Sequence, residues 1–231
     1  LDEVIALARV AGELGGIHVS HVRDEAGGVL DSVSETIAIG EEGHLPTQVT
    51  HHKMIGRAAW GQSAETLRLV EEARRRGVDV TIDQYPYTAS STALSAALFP
   101  AWALEGGTEA VKRRIATPAE RARIRETVVD KILARIAIDR GLPPTVENAA
   151  DLAIEIVERG GASGIFHAIS EEDVARILVS PFTMVASDGE IPVFGKGAPH
   201  PRSYGTFARV LALYVREKRL LTLEEAVRRM T

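Results

Sequence analysis

The chain has 231 residues, of which 45% are hydrophobic and 26% are charged, enough for one buried core with or without an insertion. Its net charge is −5 and both signs are mixed along the sequence, so we expect no basic surface for nucleic acid or anionic lipid. It has no cysteine, no apolar run of about 18 residues and no leading signal-peptide pattern, which excludes a disulfide framework and predicts a cytoplasmic protein without a membrane span.

Helical and strand patterns alternate along the chain. Strands are predicted at about 17–22, 47–51, 78–83 and 183–188, and helices up to residue 15, at 30–42, 63–77 and 171–180, and from 222 onward. Ser63, Ser170 and Thr222 are predicted to be helix N-caps. The alternation favours an α/β fold with a parallel sheet. Four strands cannot close a barrel of eight, so either the sheet is open or half of a barrel is missing; helical patterns at both ends favour the second, within a longer protein.

A long segment separates the third predicted strand from the fourth. It is mostly helical in pattern and rich in Ala, Arg and Glu. We therefore expect the second half of a barrel at 1–98, an insertion at 99–169, and the last strand with its following helices at 170–231. The insertion is expected to be either a lid beside the barrel mouth or a subdomain with a structural role alone.

Two histidines, His21 and His51, stand where a β-branched strand pattern ends. Residues at the carboxyl ends of parallel strands point into the mouth of an α/β barrel. Because side chains alternate along a strand, two sets are expected to face inward. These sets are Ile17, Val19 and His21 on the first strand, and Thr47, Val49 and His51 on the second. His18 and His52 would then face the helices.

His21 and His51 also suggest a chemistry. A single histidine at a strand end is more often a hydrogen-bonded structural residue, but two at equivalent depth on neighbouring strands could ligate one zinc ion. Asp188 follows the fourth strand and could pass a proton from water to a leaving amine, although Asp-Gly is also a common turn sequence. Together the three residues predict a metal-dependent hydrolase.

Polar residues near the same strand ends could bind a substrate. The segment 83–92, after the third strand, is dense in hydroxyl groups, which suits either hydrogen bonding to a polar substrate or ordinary turn formation. Lys53 and Arg202 could each hold a substrate carboxylate, Arg202 in a bidentate fork, and each could equally be a solvated charge.

Five segments, in this order, resemble the N-acyl-D-amino-acid deacylases, or D-aminoacylases, of the amidohydrolase superfamily. They cover nearly the whole chain outside the insertion, and as a set they are quite specific. The segments are His21-Val22-Arg23-Asp24-Glu25; His51-His52-Lys53 with Trp60-Gly61; Asp83-Gln84-Tyr85-Pro86-Tyr87 with Ser91-Thr92; Ser187-Asp188-Gly189; and Pro199-His200-Pro201-Arg202-Ser203-Tyr204-Gly205-Thr206-Phe207.

The resemblance implies a (β/α)8 TIM barrel of the metal-dependent hydrolase type, of which this chain would hold strands five to eight. It implies that His21 and His51 are zinc ligands and that Asp188 is the catalytic base. Four residues match the family's substrate-binding positions: Lys53, Tyr85, Ser91 and Arg202. The implied reaction is hydrolysis of an N-acyl-D-amino acid to a carboxylate and a D-amino acid. The chain would pair with the missing barrel half or form a homo-oligomer.

The sequence departs from the family pattern in several places. The His-x-His pair of the first strand and the metal-binding cysteine have no counterpart, since they belong to the first half of the barrel and its flanking domain. The insertion is shorter than usual. The loop 190–201 is longer than usual, and this weakens the match of Arg202 to the family's substrate-binding position.

Two alternatives to a deacylase follow from the same pattern. One is an amidohydrolase acting on cyclic amides, as hydantoinases and dihydroorotases do; Tyr85-Pro86-Tyr87 and His200-Pro201-Arg202 speak against it. The other is a non-catalytic module that keeps the fold and binds a ligand at the barrel mouth. Metal content distinguishes the second alternative, because a catalytic parent should hold one or two zinc ions.

Overall fold

A computed structural model describes residues 1–136 and 146–231 of the chain. They form two compact units, one of Leu1–Thr88 with Ile169–Thr231 and one of Ala89–Ala168. The predicted insertion at 99–169 falls mainly in the second unit, and its residues 137–145 lie outside the described ranges. Within these ranges, no helix combines the length and the apolar character that crossing a membrane requires.

The first unit contains a parallel sheet of four strands with helices between them. The strands are β1 (His18–Ser20), β2 (Thr47–Val49), β3 (Val80–Gln84) and β6 (Thr183–Val185), in the order β1-β2-β3-β6. The helices are α1 (Asp2–Glu13), α2 (Val29–Gly43), α3 (Ser63–Arg75), α9 (Glu171–Val179), α10 (Arg202–Arg209) and α11 (Leu223–Met230), with a 3₁₀ turn at Arg57–Ala59 and a π-helix at Val210–Glu217. The predicted α/β alternation and parallel pairing are confirmed.

The two faces of this sheet differ in what covers them. Val49, Val80 and Ile82 are fully buried on the face that packs against α2 and α3. The opposite face, called the open face below, presents side chains that alternate with these. It carries Val19, Gln48, Asp83 and Met184. Val19 and Met184 are 54% and 38% exposed, so an apolar part of the open face meets solvent.

The inward set predicted for β2 is wrong for Thr47 and Val49. Thr47 lies on the helix side, where its hydroxyl donates to the Thr36 carbonyl of α2 at 3.3 Å, and Val49 is buried in the same layer. His51 nevertheless reaches the open side. The strand ends at Val49, and His51 has a φ of +40°, a left-handed conformation that breaks the alternation.

The helix-side placement of His18 and His52 is confirmed. His18 Nδ1 lies 2.7 Å from the Thr47 hydroxyl, and His52 Nε2 lies 2.8 Å from the hydroxyl of Thr66 in α3. Burial, with the neighbouring Lys53 charge, lowers the pKa of His52 to about 4. Both rings are therefore structural parts of the helix layer.

Two of the three predicted helix caps are confirmed. The side chains of Ser170 and Thr222 each accept a backbone N–H from the first turn of their helices. Ser63 is not a cap, because it lies inside α3 and its hydroxyl donates to Asp173 of α9. The buried Asp173 carboxylate also accepts the Gly61 N–H at 2.9 Å and 3.1 Å, so it ties the start of α3 to α9.

The second unit is helical apart from a two-stranded ribbon. The ribbon pairs β4 (Ala89–Ala93) antiparallel with β5 (Ser163–His167). The helices are α4 (Leu94–Leu98), α5 (Ala101–Leu104), α6 (Gly107–Ala116), α7 (Pro118–Ile136) and α8 (Val146–Glu158). Phe99, Ile115 and Ile154 are buried in a core of its own. The mostly helical pattern is confirmed, and the short, polar strands are an addition to it.

Candidate functional site

His21 and His51 meet just beyond the carboxyl ends of β1 and β2. His21 Nδ1 lies 2.9 Å from His51 Nε2, and the two rings meet edge to face with centroids 4.7 Å apart. A proton can occupy only one nitrogen of such a contact, so at least one ring is neutral. Partial burial lowers the pKa of His21, in keeping with a neutral imidazole.

Glu25 is the carboxylate beside both rings. Its Oε1 lies 3.1 Å from His51 Nδ1 and 3.8 Å from His21 Nδ1, and it forms an ion pair with Lys53. Burial raises the pKa of Glu25, but the hydrogen bond from His51 and the Lys53 charge outweigh it and lower the pKa to about 2. Glu25 is therefore an ionised acceptor on the Nδ1 edge of His51.

Lys53 is buried, so the alternative that it is a solvated surface charge is wrong. Its ammonium donates to Glu25 and, at 2.9 Å, to the main-chain carbonyl of His51. Burial lowers the pKa of Lys53, and the Glu25 charge acts in the opposite direction. The pair thus places compensating charges directly beneath the histidines.

Asp188 and Arg202 form the other side of the same site. Arg202 Nη1 lies 2.8 Å from Asp188 Oδ2, and the Arg202 side chain is only 9% exposed. Its guanidinium also stands 4.8 Å above the ring of the buried Tyr85, and Lys53 Nζ lies 5.6 Å from the same ring. Arg202 is therefore held inside the first unit despite the long loop that precedes it.

Gly189 explains how Asp188 and Arg202 come together. A Cβ at this position would lie 2.9 Å from the Cα of Ser203 and 3.2 Å from the Arg202 carbonyl oxygen. Both are backbone atoms, so a larger residue would push the start of α10 away from the strand end. Asp188 itself has a φ of +47°, and this left-handed turn directs the chain back toward α10.

Six of the seven predicted site residues form one continuous set of contacts in the first unit. They are His21, His51, Lys53, Tyr85, Arg202 and Asp188. The seventh, Ser91, lies on β4 of the second unit, opposite Ile165. The individual roles of all seven stay predictions. Glu25 was missed as a site residue, although its position four residues after His21 on the same loop was the available signal.

The donor set fits a zinc ion. One ligand atom from each of His21, Glu25 and His51 lies within 4.8 Å of the other two. Two imidazole nitrogens bound to one tetrahedral zinc would lie roughly 3.3 Å apart, close to the 2.9 Å observed between the rings. Imidazole and carboxylate are both ordinary zinc ligands, and a carboxylate on the far ring nitrogen fixes the orientation of a ligating histidine.

Comparison with known proteins identifies the class to which this fold and site correspond. No protein-family profile matches the chain. An N-acyl-D-glutamate deacylase of Alcaligenes xylosoxydans xylosoxydans is 38% identical over 99% of the chain, and a D-aminoacylase of the same organism is 36% identical over all of it. The chain covers 42% and 43% of these two relatives, so it spans less than half of their length.

A solved structure agrees with these two relatives. The crystal structure of N-acyl-D-glutamate deacylase from Bordetella bronchiseptica, complexed with zinc and a phosphonate mimic of the tetrahedral intermediate, superposes with a TM-score of 0.69 at 37% identity. It matches the whole chain, which covers 44% of that structure. The chain is thus related over its full length to the N-acyl-D-amino-acid deacylases, and the resemblance stated from its motifs is confirmed.

Proposed function

We propose that this chain is part of a zinc-dependent amide hydrolase that converts N-acyl-D-amino acids to a carboxylate and a D-amino acid. The observation that carries the proposal is the direct contact of His21 with His51 beyond neighbouring parallel strands. Asp188 belongs to the same set of contacts through Arg202, which pairs with it and stands over the Tyr85 ring. The activities of the relatives support the substrate class.

His21 and His51 would hold the zinc, which supplies a Lewis acid for the scissile carbonyl and lowers the pKa of water. Glu25 and Lys53 both lie on the Nδ1 edge of His51, at 3.1 Å and 2.7 Å, and they leave its Nε2 facing His21. The Glu25 charge also balances that of Lys53. The metal would therefore rest on neutral imidazoles in a locally compensated site.

Asp188 would move the proton. It accepts a proton from the attacking water as the oxygen bonds to the acyl carbon, and it returns that proton to the nitrogen as the C–N bond breaks. The products are a carboxylate and a free amine. Its ion pair with Arg202 fixes the carboxylate in place before the substrate binds.

Lys53 and Arg202 would bind the α-carboxylate of the substrate, a small molecule. Their positive groups lie over one aromatic ring, that of Tyr85. A guanidinium has five N–H donors, so its pairing with Asp188 is compatible with a second carboxylate. Tyr85 is proposed to add a further substrate contact, and the substrate-binding role of Ser91 stays a prediction. The homo-oligomer and the cytoplasmic location predicted from the sequence stay predictions.

We further propose that the sheet β1-β2-β3-β6 corresponds to strands five to eight of a (β/α)8 barrel. All pairings in this sheet are parallel, and the candidate site lies at the carboxyl ends of its strands, where barrel enzymes keep their chemistry. The exposed apolar residues of the open face support a covering barrel half. In that arrangement the preceding half would pair with the free edges of β1 and β6.

The test uses the full-length protein and two substitutions with opposite effects on metal content. His51→Ala should remove both zinc and turnover, because it deletes a ligand. Asp188→Asn should keep the zinc and lower kcat by about 10²–10⁴, the usual contribution of a general base. Zinc is measured by elemental analysis and turnover with N-acetyl-D-amino acids. His44→Ala, at an exposed histidine of a turn, is the matched control and should change neither.

The same assay separates the alternatives. Hydrolysis of hydantoin or dihydroorotate in place of N-acetyl-D-amino acids would show an amidohydrolase of cyclic amides. A full-length protein that retains no zinc and cleaves none of these substrates would be a binding module. Full turnover in the Asp188→Asn protein would remove that residue from its role as the base.

A further inference from the structure

His51 occupies its place only because the backbone departs from the strand. In an unbroken β2 it would project to the same side as Thr47 and Val49, which face the helices. Its φ of +40° instead turns the ring to the side where His21 lies. This left-handed conformation is unfavourable for a residue with a Cβ, so the surroundings must hold it.

Asp83 is the residue that holds it. This buried aspartate lies on the open face of β3, and its Oδ1 accepts the His51 backbone N–H at 2.7 Å. Its Oδ2 accepts from the side chain of Gln48, which precedes the turn on β2. The Asp83 main-chain carbonyl accepts the next amide, that of His52, at 2.8 Å. One residue thus satisfies donors on both sides of the turn.

The carboxylate is better suited to this task than a neutral group. A buried N–H that lacks a partner is unfavourable, and a bond to an ionised acceptor is shorter and stronger than a neutral one. At the left-handed turn the main-chain carbonyl of Asp83 accepts the His52 N–H, so the His51 N–H bonds to the Asp83 side chain instead. The Asp83 carboxylate is thus the acceptor for this N–H.

We propose that Asp83 is a positioning residue of the metal site, which holds His51 in the left-handed conformation and so directs its imidazole toward His21. This inference rests on the proposed zinc-binding function. Asp83 acts through the backbone of a ligand and touches neither the metal nor the substrate. Outer residues that orient a metal ligand typically contribute 10–100-fold to metal affinity.

The experiment measures zinc affinity in the full-length protein by competition with a chromogenic chelator. Asp83→Leu keeps the branched shape and removes both acceptors, so zinc binding should weaken about 10–100-fold. Asp83→Asn keeps an oxygen for the His51 N–H and should stay within a few-fold of the wild-type affinity. The cobalt(II) absorption spectrum, which reports ligand geometry, should change in Asp83→Leu and not in Asp83→Asn.

A second buried aspartate supplies the matched control. Asp173→Leu makes the same substitution at a residue that joins two helices, so it should lower stability and leave zinc affinity unchanged. If Asp83→Leu does not fold, Asp83→Ala replaces it, because the smaller side chain leaves room for water to hydrate the two donors. The same weakening of zinc binding is expected.

The outcomes separate this inference from the function on which it rests. The inference is overturned, and the proposed function is not, if folded Asp83→Leu or Asp83→Ala binds zinc as tightly as wild type and its cobalt spectrum is unchanged. If the His51→Ala protein binds zinc as tightly as wild type, the proposed function is overturned. Equal weakening in Asp83→Leu and Asp173→Leu would show a general loss of structure and would also overturn the positioning role.

Discussion

Glu25 is the residue on which the positive charge of the site converges. It is ionised, with a pKa lowered to about 2, and it contacts both the Lys53 ammonium and the Nδ1 edge of His51, which lie 2.7 Å from each other. Two donors therefore compete for one buried carboxylate. As long as His51 donates its Nδ1 proton to Glu25, its other nitrogen keeps the lone pair that a metal needs.

We predict that Glu25→Gln weakens zinc binding about 10–100-fold in the full-length protein. The neutral amide is a poorer acceptor for His51 and leaves the Lys53 charge uncompensated beside the ligands. Chelator competition measures the change. Glu35→Gln is the control, because Glu35 forms an ion pair at 2.7 Å with the exposed Arg23 and belongs to no part of the site. Equal affinities in the two variants would contradict the orienting role of Glu25.

Residue type and chain order were sufficient to predict most of the site, and backbone conformation accounts for what was missed. His21 and Asp188 follow strands and Arg202 begins a helix, so their approximate positions follow from the α/β alternation. His51 was predicted for the wrong reason, since regular alternation would have turned it away from His21. Asp83 was visible only as part of a motif, because its role depends on a left-handed turn that no periodicity reveals.

At the scale of helices, Asp173 shows how α3 is anchored. Gly61 and Ser63 donate to its carboxylate, and Arg176 pairs with it at 3.2 Å. The start of α3 is thus tied to α9, a helix more than a hundred residues further along the chain. Because α3 packs directly on the sheet, this contact links the two halves of the first unit.

We predict that Asp173→Ala lowers the free energy of unfolding by about 2 kcal/mol, because it leaves the Gly61 N–H and the buried Ser63 hydroxyl without their acceptor. Urea denaturation of the full-length protein measures the loss. Glu172→Ala, at the exposed neighbouring position, should stay within about 0.5 kcal/mol of wild type. A similarly small change for Asp173→Ala would mean that water replaces the carboxylate as the acceptor.

The positions of elements were more predictable than their chemistry. Strands at all four predicted places formed the parallel sheet, since β-branched runs and helical periodicity are strong local signals. The ribbon of β4 and β5 was missed because Ala89–Ala93 and Ser163–His167 carry few β-branched residues. Ser63 was misassigned as a cap because its real partner, Asp173, is distant in sequence.

At the scale of the whole molecule, one group of exposed apolar side chains lies on α1 and on β1 with the turn before it. Leu7, Leu14, Ile17 and Val19 are all more than half exposed. Val19 lies on β1, an edge strand that pairs with β2 on one side, and Ile17 comes directly before this strand. An edge strand with a bare apolar face is normally covered in a native protein. The proposed barrel half would cover this surface.

We predict that Val19→Asp lowers the stability of the full-length protein by about 3 kcal/mol or more, because the proposed barrel would bury this side chain among apolar neighbours. Leu152→Asp is the control: this residue of the second unit is equally exposed, and the charge should cost less than about 0.5 kcal/mol there. Both are measured by urea denaturation. A loss of stability in Val19→Asp as small as that of the control would mean that the open face remains solvated in the complete protein. These four strands would then form an open sheet, since a closed barrel does not tolerate an unpaired carboxylate at that depth.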